Sequence, residues 1–267
     1  MAKTILITGA GSGLGEGAAI GLAKSGHTVI ATAESWPQVT ALRDKAASMG
    51  LKKLTVTKLN MLDPYDIAHA VKLDFDVLVN NAGIAEGGPI AEIPIPLVKQ
   101  NFEVNVFALL DLTQRVVHRW VKSKTKGKVV FISSIVGLVS PGMIGTYSAT
   151  KHAVQAIAEA MQVELNDFGI QVQTINPGPF FTGFNERAVE AALRWLDDDV
   201  NFTKRASYKA TTDAFLDKPE MRLDPNDMIA KMVELIPENT GPFRNIFPKD
   251  TAAWAASAGQ EMWERTI

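Results

Sequence analysis

The stretch Lys3-Thr4-Ile5-Leu6-Ile7-Thr8-Gly9-Ala10-Gly11-Ser12-Gly13-Leu14-Gly15 decides how this chain folds. An apolar run of strand length, Ile5 to Ile7, ends in a glycine-rich turn that passes directly into a pattern of helical period over residues 14–25. Glycine lets a backbone turn tightly and come close to a bound group, while the start of a helix offers unpaired N–H groups and a partial positive charge. A strand, a glycine turn and a helix in that order make a cradle for a diphosphate. The spacing is G-x-x-x-G-x-G through Gly9, Gly13 and Gly15, with Ser12 and Leu14 at the helix start; G-x-G-x-x-G fails in every frame. Taken alone, such a turn can equally be structural. The pattern G-x-x-x-x-G-K-[ST] is absent, which removes most support for nucleotide hydrolysis.

Beyond this stretch, apolar runs of strand length alternate with helical patterns up to residue 176. Strands are expected over Lys3–Thr8, Thr28–Ala33, Leu54–Leu59, Val77–Asn80, Lys128–Ser133 and Gln171–Ile175, and helices over 14–25, 38–49, 64–72, 97–121 and 146–168. This alternation predicts an α/β fold, a doubly wound parallel sheet with helices on both faces, in a single domain over residues 1–267. Residues 179–223 break the pattern with short helical segments rich in aromatics. Such an insertion after a late strand is expected to lie over the ligand crevice as a substrate lid. A last helix, about 225–236, precedes a short strand around Phe243–Phe247.

The composition agrees with a globular enzyme-sized domain: 46% of the 267 residues are hydrophobic and 21% are charged. There is no cysteine, which excludes disulfides, thiolate metal sites and cysteine nucleophiles. The four histidines, His27, His69, His118 and His152, form no ligand-like cluster with carboxylates, so no metal is implied. The formal charge is −2, without the basic footprint of a nucleic-acid binder. Lys122, Lys124, Lys126 and Lys128 are interrupted by Ser, Thr and Gly and read as a solvated turn. Neither an apolar leader nor a membrane-length apolar run is visible, so a cytoplasmic protein without membrane partner is expected.

Four further features lie at strand ends or on the helix that follows. The second strand runs into Ala33-Glu34-Ser35, where an acid can hold both hydroxyls of an adenosine ribose. Glu34 would repel a 2′-phosphate and Ser12 supplies no cation, so NAD is favoured over NADP; Glu34 can also be read as a solvated loop residue. Asn80-Asn81-Ala82-Gly83 closes the fourth strand and Ser133-Ser134 the fifth. Tyr147 and Lys151, four apart, share one face of the following helix.

Together these motifs resemble the short-chain dehydrogenase/reductase family over about residues 3–182. The resemblance implies a catalytic tetrad of Asn105, Ser134, Tyr147 and Lys151, with the Ser-to-Tyr spacing of 13 selecting Ser134 over Ser133. It also implies cofactor contacts from Gly9, Ser12, Gly13, Leu14, Gly15, Glu34, Asn81, Ala82, Gly83, Tyr147 and Lys151, and from Pro177-Gly178, Phe180 and Thr182 beside the nicotinamide carboxamide. Asn60-Met61 stands where the family often has an aspartate for the adenine. The tail, with Pro242-Phe243-Arg244, is weakly similar to steroid- and retinol-dehydrogenase-like members.

Hydride transfer to a carbonyl leaves an alkoxide that needs a proton. Tyr147 is the expected general acid/base, with Lys151 lowering its pKa, Ser134 holding the substrate oxygen, and Asn105, by resemblance, holding a water that links Lys151 to solvent. Phe180, Phe181, Phe184, Trp195 and Met143 suggest a lid for a mostly apolar secondary alcohol or ketone; the alternative is that these aromatics only anchor the lid to the sheet. Met143, Phe181 and Phe184 join Ser134 and Tyr147 as the expected substrate pocket. Val104, Phe107, Leu110 and Val117 on one long helix, with Ala153, Ala156, Ala160 and Val163 on the next, suggest a homodimer or homotetramer. A catalytically silent dinucleotide-binding sensor or scaffold is the competing class.

Overall fold

Strands that are apolar at every position can be buried only if both faces of their sheet are covered, and the chain meets that condition with two separate cores. The computed structural model describes residues 1–266. Seven strands, β1 (Thr4–Ile7), β2 (Thr28–Ala33), β3 (Leu54–Lys58), β4 (Val77–Asn80), β5 (Lys128–Ile132), β6 (Gln171–Pro177) and β7 (Arg244–Phe247), form one sheet in the order β3-β2-β1-β4-β5-β6-β7. Every neighbouring pair is parallel. Ile5, Ile7, Val79 and Val130 face one core and Leu6, Leu78, Val129 and Phe131 the other, the alternation that a strand period of two requires.

The first core is closed by helices α1 (Gly13–Lys24) and α2 (Trp36–Ser48) together with α9 (Pro225–Leu235), through Ala18, Leu22, Val39, Leu42, Met228 and Met232. The second lies under α3 (Pro64–Ala70), α5 (Leu109–Ser123) and α6 (Gly145–Glu164), with Leu112, Val116, Trp120 and Val154 at its centre. Between β4 and α5 come α4 (Ile95–Phe102) and a π-helical segment, Glu103–Ala108. The pattern read as one helix over 97–121 is therefore interrupted: the wider π turn puts an extra residue into the helix and changes which face Asn105 presents. The helix expected to reach 168 ends at Glu164, where a 3₁₀ turn and Gly169 at φ 67° close it. Residues 179–223 contain α7 (Phe184–Trp195) and α8 (Arg205–Leu216), joined by a small cluster of Ala192, Leu196 and Tyr208. After β7 comes α10 (Lys249–Glu264), a helix the sequence reading did not anticipate. Among the described residues no helix is long and apolar enough to cross a membrane.

One expectation is corrected by the bottom edge of the sheet. Lys128 does not belong to a solvated turn: it opens β5, is 5% exposed, and its Nζ donates to the carbonyls of Leu235 (3.1 Å), the last residue of α9, and of Glu238 (2.7 Å) just beyond it. Burial pushes its pKa down to about 8. The ammonium satisfies carbonyls that a helix end leaves without partners.

The connection from β1 to β2 runs to one side of the sheet and that from β4 to β5 to the other, so a crevice opens at their carboxyl ends. Its floor depends on where α1 sits. Gly17 and Gly21, poor helix formers, occur in α1 because Ile229 and Val233 of α9 pack directly onto them; a Cβ at Gly21 would lie 2.5 Å from Val233 Cγ2. Gly21→Val is therefore expected to destabilise the fold by about 1–3 kcal/mol through overpacking. Urea unfolding should show this loss, and adding Val233→Ala should recover most of it; an unchanged midpoint would contradict the packing.

Candidate active site

The crevice holds a cavity of about 310 Å³ that runs from the glycine turn to the first turn of α6. At one end, Gly9 has φ +65° and Gly13 φ +59°, backbone conformations that favour glycine. A Cβ on Gly9 would stand 2.7 Å from Ala82 Cα, and one on Gly15 would stand 2.6 Å from the carbonyl oxygen of Gly9. Ser12 is the N-cap residue of α1 without any side-chain cap bond, so its hydroxyl and the first amides of the helix face the cavity free.

The turn is held from β4. Asn81 Nδ2 donates to the carbonyls of Thr8 (2.8 Å) and Gly9 (3.1 Å), and the amides of Asn81 (3.0 Å) and Ala82 (2.9 Å) donate to Thr8 Oγ1. Asn81 lines the cavity, yet its amide nitrogen is engaged in shaping the cradle. Asn80 turns the other way and donates to Thr113 Oγ1 at 2.8 Å. Glu34 and Asn60-Met61 line the distal end, where the wall carries no cation, and Pro177, Gly178, Phe180 and Thr182 complete it from the end of β6. These residues fit a dinucleotide: a glycine cradle at a helix N-terminus, with a carboxylate on one side and polar groups at both ends.

At the other end the cavity reaches Ser134, Tyr147 and Lys151. Ser134 follows β5, Tyr147 lies in the first turn of α6 and Lys151 one turn later on the same face. Tyr147 is 8% exposed. Burial pushes its phenol well above the usual tyrosine value, and a hydrogen bond with the Ser134 side chain opposes that rise. Lys151 is buried too, which lowers its pKa to about 8. Its Nζ donates to the carbonyl of Ile132 at 2.8 Å and lies 5.5 Å from the centre of the Tyr147 ring. Burial of the phenol thus dominates in this geometry, with the Lys151 ammonium already bonded to a backbone carbonyl.

Asn105, set in the π segment, is buried behind the cavity wall. Its Oδ1 accepts from Ile84 N at 2.8 Å, and its Nδ2 donates to Ile84 O at 2.8 Å and to Thr150 Oγ1 at 3.1 Å. Both amide hydrogens are occupied, which leaves only a lone pair for the water expected there. Among the described residues, no group of three His, Asp or Glu side chains is placed to hold a metal ion.

The expected substrate residues separate. Phe184, on α7, stands against Tyr147 with ring centres 5.4 Å apart and lines the cavity, as does Phe180, which also stacks on Phe247 at 6.0 Å. Phe181 and Met143 are not on the cavity wall. Phe181 is 48% exposed with the Arg222 guanidinium over its ring, because the extended chain after Phe180 alternates sides. Met143 packs on the cluster of Ala192, Leu196 and Tyr208, and its carbonyl accepts from Gly88 N. Trp195 packs against Gly88, also away from the cavity wall. The sequence reading missed Gln38, Gln100, Asn185 and Arg187 on the wall. Arg187 was recoverable in principle: it lies three residues after Phe184, on the same face of a helix.

Comparison with known proteins gives a consistent picture. A family model described as short chain dehydrogenase matches residues 3–192. The NADPH-dependent 3-dehydrocapnine reductase of Ornithobacterium rhinotracheale is 42% identical over 133 residues, 48% of this chain and 46% of that protein. The chain's match thus spans about half the length of that relative. The (S)-acetoin-forming diacetyl reductase of Staphylococcus epidermidis is 34% identical over 207 residues, covering 75% of this chain and 79% of the relative. The crystal structure of a short-chain dehydrogenase from Streptomyces avermitilis, 26% identical, superposes with a TM-score of 0.79 over 99% of this chain and 94% of that one.

The Asn105 bonds generate a test of the site's construction. Asn105→Ala leaves the amide and carbonyl of Ile84 without side-chain partners in a part-buried loop, and is expected to destabilise the protein by about 1–3 kcal/mol. Denaturant unfolding measures the loss. Parent-like stability would show that Asn105 does not hold this loop.

Proposed function

This chain belongs to the short-chain dehydrogenase family, and within it we propose an oxidoreductase that interconverts a mostly apolar secondary alcohol and its ketone with a nicotinamide dinucleotide. The observation that carries the reading is the convergence of Ser134, Tyr147 and Lys151, the last two one turn apart on one face of α6, at the end of the cavity that begins in the glycine cradle. The dinucleotide would lie along Gly9 to Gly15, Glu34 and Thr182, and its nicotinamide would supply or accept the hydride. Tyr147 Oη gives the proton to the carbonyl oxygen in reduction and takes it in oxidation. Ser134 donates a hydrogen bond to the same oxygen, and the Lys151 ammonium holds the ribose side of the nicotinamide. Asn105 fixes the loop through Gly83 and Ile84 beside Lys151. Phe180 and Phe184 favour apolar substrate surface, and the diacetyl reductase is a relative named for a ketone substrate. Helices α7 and α8 form the lid. Phe107 and Val163, 54% and 73% exposed on the π segment and α6, support pairing of two copies through that face.

NAD is the proposed cofactor because Glu34 is the charged group at the adenosine end of the cavity, where a 2′-phosphate would meet a carboxylate. The 3-dehydrocapnine reductase is NADPH-dependent by name, so the preference rests on this chain's own Glu34. Titrating both reduced cofactors should give tighter NADH than NADPH binding, and Glu34→Arg should shift preference toward NADPH. Tighter NADPH binding by the parent protein would overturn the choice.

Tyr147→Phe removes the proton donor and keeps the ring, so turnover should fall by about 10²–10⁴-fold while cofactor binding persists. Because burial holds the phenol protonated at neutral pH, alcohol oxidation, which needs phenolate, should accelerate as pH rises from about 7 to 10, whereas carbonyl reduction should not. Rates measured in both directions check this; substantial turnover by the Phe variant would remove Tyr147 from its role.

A further inference from the structure

Two cations line the cavity among the described residues, Lys151 and Arg187. Lys151 is already bonded to the Ile132 carbonyl. Arg187 differs: its guanidinium makes no ion pair and no hydrogen bond among the described residues, although Arg43, Arg115, Arg119, Arg205, Arg222 and Arg244 all do. Its place is defined by three neighbours. Arg187 Nη1 lies 3.1 Å from the position a Cβ on Gly183 would take, Gly183 follows Thr182, and Thr182 Cβ lies 3.8 Å from the corresponding position on Gly13. The free guanidinium therefore stands on the lid helix beside the residue that meets the glycine cradle.

The cradle offers amides and a helix terminus but no full positive charge, while a dinucleotide brings two phosphate charges to it. Guanidinium is suited to that gap, since its planar fork can bond two phosphate oxygens at once. Arg187 also shares a helix face with Phe184, which stands against Tyr147. We propose that Arg187 is a lid cation that pairs with the diphosphate of the bound dinucleotide, so that cofactor binding holds α7, and with it Phe184, over the reacting end of the site. This rests on the dinucleotide reading above and adds a consequence: the pocket that meets the substrate is finished only after the cofactor is in place.

The test compares the parent protein with Arg187→Ala and Arg187→Lys. NADH and adenosine, which lacks the phosphates, are each titrated calorimetrically, and backbone hydrogen exchange of residues 184–195 is followed with and without NADH. Arg187→Ala should bind NADH about fivefold more weakly, the scale of a solvent-accessible charge pair, with adenosine affinity unchanged and Arg187→Lys, which keeps the charge without the planar fork, restoring only part of the loss. NADH should slow exchange in α7 of the parent and of the Lys variant and should not do so in the Ala variant. Equal NADH affinity in parent and Ala variant overturns the proposal, as does an equal loss for adenosine or unchanged α7 exchange in the parent. A defect confined to the KM of carboxylate-bearing substrates likewise overturns it, assigning Arg187 to substrate. If the parent binds no nicotinamide dinucleotide, the oxidoreductase reading itself falls, an outcome distinct from an intact parent with an indifferent Arg187.

Discussion

The site depends on a belt of hydrogen bonds that joins segments far apart in the chain. Asn81 and Ala82, at the end of β4, hold Thr8 and Gly9 at the end of β1 by four bonds of 2.8–3.1 Å. Two residues later Ile84 is gripped on both its amide and its carbonyl by Asn105, whose remaining hydrogen reaches Thr150 on α6, the residue just before Lys151. The glycine cradle and the catalytic helix are thus linked through one short loop. Buried backbone groups need partners, and here the partners that satisfy them also set the distance between the two halves of the site.

Burial shapes the chemistry as strongly as the contacts do. Tyr147 and Lys151 both lie in a dry wall, and desolvation favours the neutral form of each, raising the phenol and bringing the ammonium down to about 8. A phenol held protonated is ready to donate in the proposed reduction. The Ser134 hydrogen bond opposes the rise, so the residue that would orient the substrate oxygen also tempers the acid beside it.

The lid is built differently from the cradle. Phe180 is locked by stacking on Phe247 and by a bridge to Leu223, while α7 and α8 share a small cluster of their own around Tyr208. Phe180 therefore ties this segment to the body and Tyr208 packs within it, Phe181, Phe202 and Phe215 are exposed, and Phe184 is the one that meets Tyr147. Phe184 accordingly stands where α7 places it, and α7 has only Ala188 and Ala192 buried.

The parallel sheet, the glycine turn and the shared helix face of Tyr147 and Lys151 were legible in the sequence because each is set by local order, whereas Ser134 was placed beside them by the family resemblance. Apolar runs mark buried strands, glycines mark the turn, and a four-residue spacing puts two side chains on one helix face whatever the rest of the chain does. The tertiary structure decided what local order cannot encode. Asn105 stands in a π turn and bonds a loop 21 residues before it, and Lys128 is buried because α9 ends above it, 107 residues later. Phe181 and Met143 left the cavity wall, and Arg187 joined it, because the lid's orientation is fixed by contacts with β7, Leu223 and the Tyr208 cluster. The burial that raises the Tyr147 phenol has the same origin: solvation is a property of the assembled pocket, and a single residue's neighbours in sequence do not determine it.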